Sequence, residues 1–553
     1  VRFTLLFGLF SLFSGSAYAA KTEYLTAGSC GGLPRVSLST PPGFCVGLVA
    51  KGFKFPRGVQ ALPDGRILVI DMGGWARKRG TLWILEKSGD SYSRTRLLSG
   101  LDEPHGVRIG PDGKIYISEV SRVVRLGLEF SKSESDAMAH VETVLTGIPD
   151  TGRHPLHSFV FDKEGSLILN VGSATDHCEN SGNPPNPSQP CAEAEGENPR
   201  GALLKFPRDP STHAYGKGHL IAKGLRNSVA LAVHPQSGIL IQGENSRDSI
   251  NRADPKLDDR ELPHDEINLI EEGANYGWPY CYDENTPSPE FPGFDCSKTQ
   301  PPSLLIPAHT APLGMTYYTG KLFPVAYRGM LLITYHGYRD YGHRVVALST
   351  DSEGRVSHSS KSFDLIWDWA RTDSHPMGTP VELSQSSDGA VFITEDKNGD
   401  LLRLNYDPRQ GDGALTPSVF EKKVKKDTSE LARCEAIKKR NDLFSHIQTS
   451  LIDTSCISCH GDPTAPAGNL LLQKCDDIGN AKRLLEKHAG GVPLVTPCDL
   501  TGEFMQRLKG IPGVPQMPIG GKLSDDKIAL VHDWIIKGAP EPGVQPKDNA
   551  CQP

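Results

Sequence analysis

Basic charge is what this chain has little of: Lys and Arg total 59 against 66 Asp and Glu, a formal charge of -7. A dedicated nucleic-acid binder normally carries a basic surplus, so that class is set aside. Aromatic residues are also few, at 7%, and hydrophobic residues reach only 37%. Beyond the first residues no run of about eighteen apolar side chains occurs, so no membrane-spanning helix is expected in the mature chain. Global disorder is excluded as well, because apolar β-type segments recur throughout. What the chain does have is 57 Gly and 43 Pro, a turn-rich composition that suits a β protein better than a helical bundle. Its 553 residues leave room for two or three domains.

The start of the sequence points to export. Val1-Arg2 precedes an apolar run from Phe3 to Phe13, and Ala17-Tyr18-Ala19 forms an A-x-A cleavage site. Residues 1–19 therefore read as a signal peptide, too short to span a membrane, and the mature protein as periplasmic or secreted. The twelve cysteines agree with an oxidising compartment. Cys456 and Cys459 belong to a C-x-x-C-H motif, and the remaining ten are an even set. Proximity in sequence suggests pairs 30–45, 178–191, 281–296 and 475–498, with 434 left to 551.

A turn followed by a β-rich run recurs six times between residues 64 and 395: RILVID after Asp64-Gly65, KIYISE after Asp112-Gly113, SLILNV after Glu164-Gly165, ILIQGE after Ser237-Gly238, MLLITY after Arg328-Gly329 and AVFITE after Asp388-Gly389. Such dipeptides supply the positive backbone angles of tight hairpins. A second strand follows several of them, as at Thr81, Val123, Ala202, Arg344 and Asp400. Each unit is a small antiparallel sheet that cannot bury its faces alone, and six of them predict a six-bladed β-propeller over residues 31–407. A linker is expected over 408–430, followed by a small all-α unit over 431–545. The basic run Lys422-Lys423-Val424-Lys425-Lys426 in this stretch reads as a solvated helix face or spacer, with a docking patch for an acidic redox protein as the alternative.

Cys456-Ile457-Ser458-Cys459-His460 is a haem-attachment motif: two thioethers from Cys456 and Cys459, with His460 as proximal iron ligand. A zinc site would need two further ligands at matching spacing, and there is no second C-x-x-C. A soft sixth ligand suits an electron carrier. Met517 lies in a turn-forming loop before an amphipathic helix expected from Ser524 to Lys537, whereas Met505 sits in a helical context that suits core packing. His488 and His532 are the other candidates. The stretch from Cys456 to Pro540 resembles a class I cytochrome c domain, which implies His460/Met517 ligation of haem c.

Longer strings carry a second resemblance: GLRNSVALAVHP from Gly224, GILIQGENSRD from Gly238, LPHDEINLIEEGANYGWPYCY from Leu262, TAPLGMTYYTGKLFP from Thr310 and GTPVELSQSSDGAVFITED from Gly378. From about Pro56 to Leu404 the chain resembles the L-sorbosone dehydrogenase and soluble glucose dehydrogenase group of quinoproteins. The resemblance implies a six-bladed propeller that holds pyrroloquinoline quinone (PQQ) and calcium at one end of its channel and oxidises a sugar or a related alcohol or aldehyde. It implies His154 as the catalytic base, with His157 as a neighbour that is structural if it lies on a strand. Arg226 and Asn227 match the family's Arg-Asn pair at the cofactor, and the backbone carbonyls of Ser246 and Arg247 match its calcium loop. Asp265-Glu266 is expected to order that loop. The chain departs from the family where two last-blade arginines clamp PQQ, since Gly378-Thr379-Pro380-Val381 contains none; Arg339 and Arg344 are nearby substitutes.

Two classes of function follow. One is an exported quinohaemoprotein dehydrogenase that passes electrons through its haem to a redox partner protein. The other is a non-catalytic propeller that binds a ligand or partner, or offers a docking surface, with the haem serving in sensing or electron delivery.

Overall fold

In the computed structural model the described residues are 23–130, 133–179, 185–186, 189–196, 198–337, 339, 341–369, 378–418, 434–461, 470–486, 493–511, 514–518, 523–544 and 551. The signal peptide, His488, the basic run and part of the linker lie outside them.

Six antiparallel sheets form the propeller. Blade 1 has strands Pro56–Ala61, Ile67–Asp71, Gly80–Ser88 and Ser91–Leu101, and blade 2 has Val107–Ile109, Ile115–Ser118, Arg122–Leu126 and Glu142–Thr146. Blade 3 has Phe159–Phe161, Leu167–Val171, Ala202–Phe206 and His219–Lys223, and blade 4 has Ala230–Val233, Leu240–Glu244, Asp265–Leu269 and Leu304–Ile306. Blade 5 has Pro312–Tyr317, Leu331–Tyr335, Arg344–Leu348 and Ser362–Ile366. Blade 6 takes Pro380–Gln385, Val391–Glu395 and Asp400–Tyr406 from one end of the segment, and Phe44–Ala50 from the other. That seam is a full ladder, with Tyr406 opposite Phe44 and Leu404 opposite Val46.

The six turn–strand units are the first hairpins of the six blades. Their glycines, Gly65, Gly113, Gly165, Gly238, Gly329 and Gly389, all have φ between 74° and 89°, the left-handed region such turns require. The second strands are buried because each is packed on both faces by neighbouring blades; Ile67, Leu68, Val69 and Ile70 are all fully buried. Blades approach closely near the channel. At Gly314 in blade 5 a Cβ would meet the Val381 carbonyl of blade 6 at 2.5 Å, so no larger residue fits there.

In blade 4 the DEIN string is the strand Asp265–Leu269, paired with Ile241–Glu244 so that Glu266 faces Glu244. From there Asp265 accepts from Ser246 N–H in the preceding loop at 2.9 Å and from Ala311 N–H at 2.7 Å. Of the linker, the described residues up to 418 run along the edge of blade 5, where Asp364 N–H donates to Thr416 O at 2.9 Å.

The C-terminal segment is helical. Leu443–Ile447 continues through a π-helical stretch, Gln448–Cys456, into the single turn Ile457–His460. Asp477–Leu485, Glu503–Lys509 and Asp525–Ile536 follow. Asp525–Ile536 confirms the expected terminal helix, with Ser524 at its N-cap. These helices share a core of Phe444, Leu451, Leu484, Leu508, Val531 and Trp534. Met505 belongs to the same core at 1% exposure, as its helical context suggested.

The disulfides 30–45, 178–191 and 281–296 form as expected. The last two pairs are corrected to 434–475 and 498–551. Proximity in sequence misleads here because the helices set the partners. Cys498 N–H donates to Ile535 O at 3.0 Å, which brings Cys498 to the end of the terminal helix where Cys551 returns. Among the described residues no helix is long and apolar enough to cross a membrane.

Candidate functional site at one end of the propeller channel

The loops entering each innermost strand and those joining second to third strands lie at the same end of the ring. That end carries His154, Asn227 and the loop that follows Glu244.

His154 precedes the first strand of blade 3 and is half-buried. Ser173 Oγ donates to Thr175 O at 2.6 Å, so it receives the Nδ1–H of His154 at 2.8 Å. This arrangement assigns the Nδ1–H tautomer and leaves the Nε2 lone pair without a partner among the described residues. Burial, and then the positive charge of Arg226, push the His154 pKa well below the ordinary histidine value. The ring is therefore neutral across the physiological range, as a proton acceptor must be. His157 is different. It is 1% exposed, with Nδ1 against Asn170 O at 2.8 Å and Nε2 against Val120 O at 2.9 Å, so it ties blades 2 and 3 together.

Arg226 is buried between two loops. One terminal nitrogen donates to Asn245 O at 2.9 Å, and the other to Asp176 at 2.5 Å and Asp248 at 3.2 Å. Burial opposes its charge, but Asp176 and Asp248 outweigh that and raise its pKa. Asp176 in turn is held well below the carboxylate range: burial works against it, and the charges of Arg226 and Arg153 prevail. The Arg226 Nε–H is buried without a partner among the described residues. Asn227 next to it is half-buried; its backbone N–H donates to Glu244 at 3.0 Å.

The loop Asn245–Asp248 is held by its N–H groups, its side chains and the Asn245 carbonyl that accepts from Arg226. Ser246 N–H goes to Asp265, Asp248 N–H goes to Asp176 at 3.1 Å, and the Arg247 guanidinium goes to Glu290 at 2.5 Å. The Ser246 and Arg247 carbonyl oxygens accept no hydrogen bond from the described residues. Two adjacent, unsatisfied carbonyls are a donor set for a hard cation such as calcium.

Neither substitute arginine is open. Arg339 binds Asp259 Oδ2 at 2.8 Å, and Arg344 reaches Asp364 at 3.4 Å. The last blade instead meets a cluster that sequence reading missed. Asp396 accepts from Arg57 at 2.5 Å, from His336 Nε2 at 3.1 Å and from the Thr379 hydroxyl, and the Arg57 Nε–H donates to His105 at 3.2 Å. Burial, outweighed by His336 and Arg57, leaves Asp396 below the carboxylate range. Ser173, Asp176 and this cluster carried no motif, because each acts through a tertiary contact rather than through its neighbours in sequence.

In the helical segment Cys456 and Cys459 stay outside the five disulfides, and burial pushes the Cys456 thiol up to about 12. His460 Nδ1 faces Leu470 O at 3.1 Å, a contact that fixes the orientation of the ring. Met517 is half-buried, its N–H donating to Arg507 O at 2.9 Å, whereas the His532 ring is paired with Asp533 on an exposed helix face. Arg252, just beyond the Asn245–Asp248 loop, donates to Thr454 O at 2.8 Å and joins that loop to the turn carrying Cys456.

The acid limb of kcat/KM should reflect His154. Because its pKa is depressed, the rate is expected to hold as pH falls through 6.5 and to halve only below it. In Ser173→Ala the rate at the optimum should drop roughly tenfold through loss of one hydrogen bond. An acid limb at or above pH 6.5 in the wild type would count against His154.

Residues 38–293 match the protein family described as TrAA12-like. A pyrroloquinoline quinone-dependent sugar dehydrogenase of Hypocrea jecorina is 23% identical over 401 residues, covering 66% of this chain and 89% of its own. Among solved structures, a Trichoderma reesei protein of Carbohydrate-Active Enzymes Family AA12 aligns at TM-score 0.53 and 21% identity, over 67% of this chain and 98% of its own. The holo PQQ domain of pyranose dehydrogenase from Coprinopsis cinerea aligns at TM-score 0.51 and 20% identity, over 68% and 99%. At these identities the structural likeness establishes the six-bladed propeller.

Proposed function

We propose that the chain is an exported quinohaemoprotein dehydrogenase: a propeller that oxidises a sugar or related alcohol or aldehyde, joined to a cytochrome c unit that carries the electrons to a redox partner. The observation that carries this reading is the neutral His154, its Nε2 open, at the same channel end as the carbonyl pair of Ser246 and Arg247. The PQQ-dependent sugar dehydrogenase relative supports an oxidoreductase role.

The residues fit the groups this reading requires. The Ser246 and Arg247 carbonyls would hold calcium, while the buried Arg226 Nε–H and the Asn227 amide would face PQQ. Bound there, PQQ supplies the electrophilic carbonyl that accepts hydride from the substrate carbon. His154 Nε2 takes the substrate hydroxyl proton, Ser173 keeps the ring in the required tautomer, and Arg226 keeps the ring neutral until that proton arrives. Cys456 and Cys459 would anchor haem c, with His460 and Met517 as iron ligands, and the haem supplies a one-electron outlet.

Two experiments test this. Acid-acetone extraction of the holoprotein should leave the haem on the polypeptide, and the ferric protein should show a sulfur-to-iron band in the near infrared that Met517→Ala removes. Free haem in the extract would overturn the attachment. Anaerobic reconstitution with PQQ and calcium, followed by sugar, should reduce the haem. Arg226 favours the second reading, a binding propeller, because both its terminal nitrogens are already engaged. Failure of PQQ to bind would decide for it.

A further inference from the structure

Among the described residues, the exposed large hydrophobic side chains are aliphatic with one exception, Trp75, at 61% exposure. Trp75 lies between the second and third strands of blade 1, at the same end of the ring as His154. Its loop is braced. The Arg77 guanidinium reaches Asp102 at 3.1 Å, Glu103 at 3.5 Å and Asp150 at 3.0 Å, and Lys78 N–H donates to Asp102 at 3.2 Å. Asp150 belongs to the loop that carries His154, so Arg77 fastens the Trp75 loop to the loop of the base. On its inner side the indole meets Phe55, with ring centroids 6.1 Å apart, and Phe55 packs with Met72, Val120 and Leu156. The rest of the indole is left to solvent.

An exposed indole on a loop braced by three carboxylates through the Arg77 guanidinium is poorly matched to a protein partner, which needs a contiguous apolar patch. It is well matched to a pyranose ring. One face of such a ring presents C–H groups that stack on an aromatic surface, while its equatorial hydroxyls reach planar acceptors and donors at the edge.

We propose that Trp75 is the stacking platform for a second sugar ring, so that the substrate class is a glycan of two or more rings. The terminal ring is oxidised beside His154, and the next ring lies on the indole, its hydroxyls within reach of the Asp102, Glu103 and Asp150 carboxylates. This inference rests on the dehydrogenase reading and names its substrate class.

Binding is measured on the full-length protein by calorimetry and tryptophan fluorescence, with glucose and with trisaccharides of glucose, xylose and mannose as probes. At least one trisaccharide should bind more tightly than glucose and shift the emission. Trp75→Ala should weaken that trisaccharide about tenfold and abolish the shift, Trp75→Phe should recover most of the affinity, and glucose should be unaffected. In turnover the same variant should raise KM for the trisaccharide with kcat unchanged. Equal trisaccharide affinity in wild type and Trp75→Ala overturns the proposal. So does a Trp75→Ala defect confined to electron delivery to a protein acceptor. Sugar binding without turnover would instead locate the failure in the dehydrogenase reading, because the titration requires no reaction.

Discussion

Replacing His154 by Ala is expected to lower substrate turnover about 10²–10⁴-fold, the usual worth of a positioned general base, while PQQ and calcium binding stay near wild type. The expectation comes from one short chain of contacts: Ser173 Oγ gives its hydrogen to Thr175 and so takes the Nδ1–H of His154. The imidazole then has one orientation and one open nitrogen. Substrate-driven haem reduction in stopped flow reads the effect, and absorbance of the bound quinone reads cofactor loading. His157→Ala is the control: its ring nitrogens face backbone carbonyls of both neighbouring blades, so it should lose stability rather than intrinsic rate. Wild-type turnover in His154→Ala would move the assignment to His336, whose Nε2 lies 3.1 Å from Asp396 at the same end of the channel.

The second large effect is on stability. Arg226→Met removes the cation between Asp176 and Asp248 and leaves the Asp176 carboxylate, 4% exposed, without its closest counter-charge. Breaking a buried pair from one side costs about 3–5 kcal/mol, far more than the net worth of the pair. Urea unfolding should show that loss, and adding Asp176→Asn to Arg226→Met should return a large part of it. The pH profile supplies a second signature. Arg226 is one of the charges holding the His154 pKa down, so its removal moves the acid limb of kcat/KM upward. A variant with unchanged stability and an unchanged acid limb would show that Arg226 matters to neither.

Much of the propeller was legible because its signal is local. An Asp-Gly or similar turn followed by a six-residue run rich in apolar side chains marks the first hairpin of each blade, and the structure places all six there. The third strand of blade 4 was missed because a loop of twenty residues, 245–264, separates it from its partner, and its DEIN sequence is too polar to read as a buried strand. Its Glu266 stays buried beside Glu244 because burial raises both acids, Glu244 to about 7, so that neither need be charged at once. The resemblance pointed to His154, Arg226 and the Ser246–Arg247 loop, which the structure brings to one end of the channel, but not to the partners that surround them. Ser173 and Asp176 meet His154 and Arg226 only through the folding of blade 3 against blade 4, and Arg57 meets Asp396, 339 positions away, only when the ring closes. The two C-terminal disulfides escaped for a related reason, since helix packing rather than spacing chose them.

The seam in blade 6 has a consequence for how the molecule is made. Its outer strand, Phe44–Ala50, pairs on one side with Leu33–Val36, but its other edge has no partner until Asp400–Tyr406 exists, so that edge must wait through the synthesis of five other blades. Until then the chain is an open arc with exposed strand edges at both ends, and the channel end that gathers His154, Arg226 and Asp396 has no fixed shape. Assembly of the site is therefore a late event, coupled to ring closure. A ribosome stalled before residue 400 should yield a protease-sensitive product, and the same chain extended past Tyr406 should gain resistance across all six blades at once.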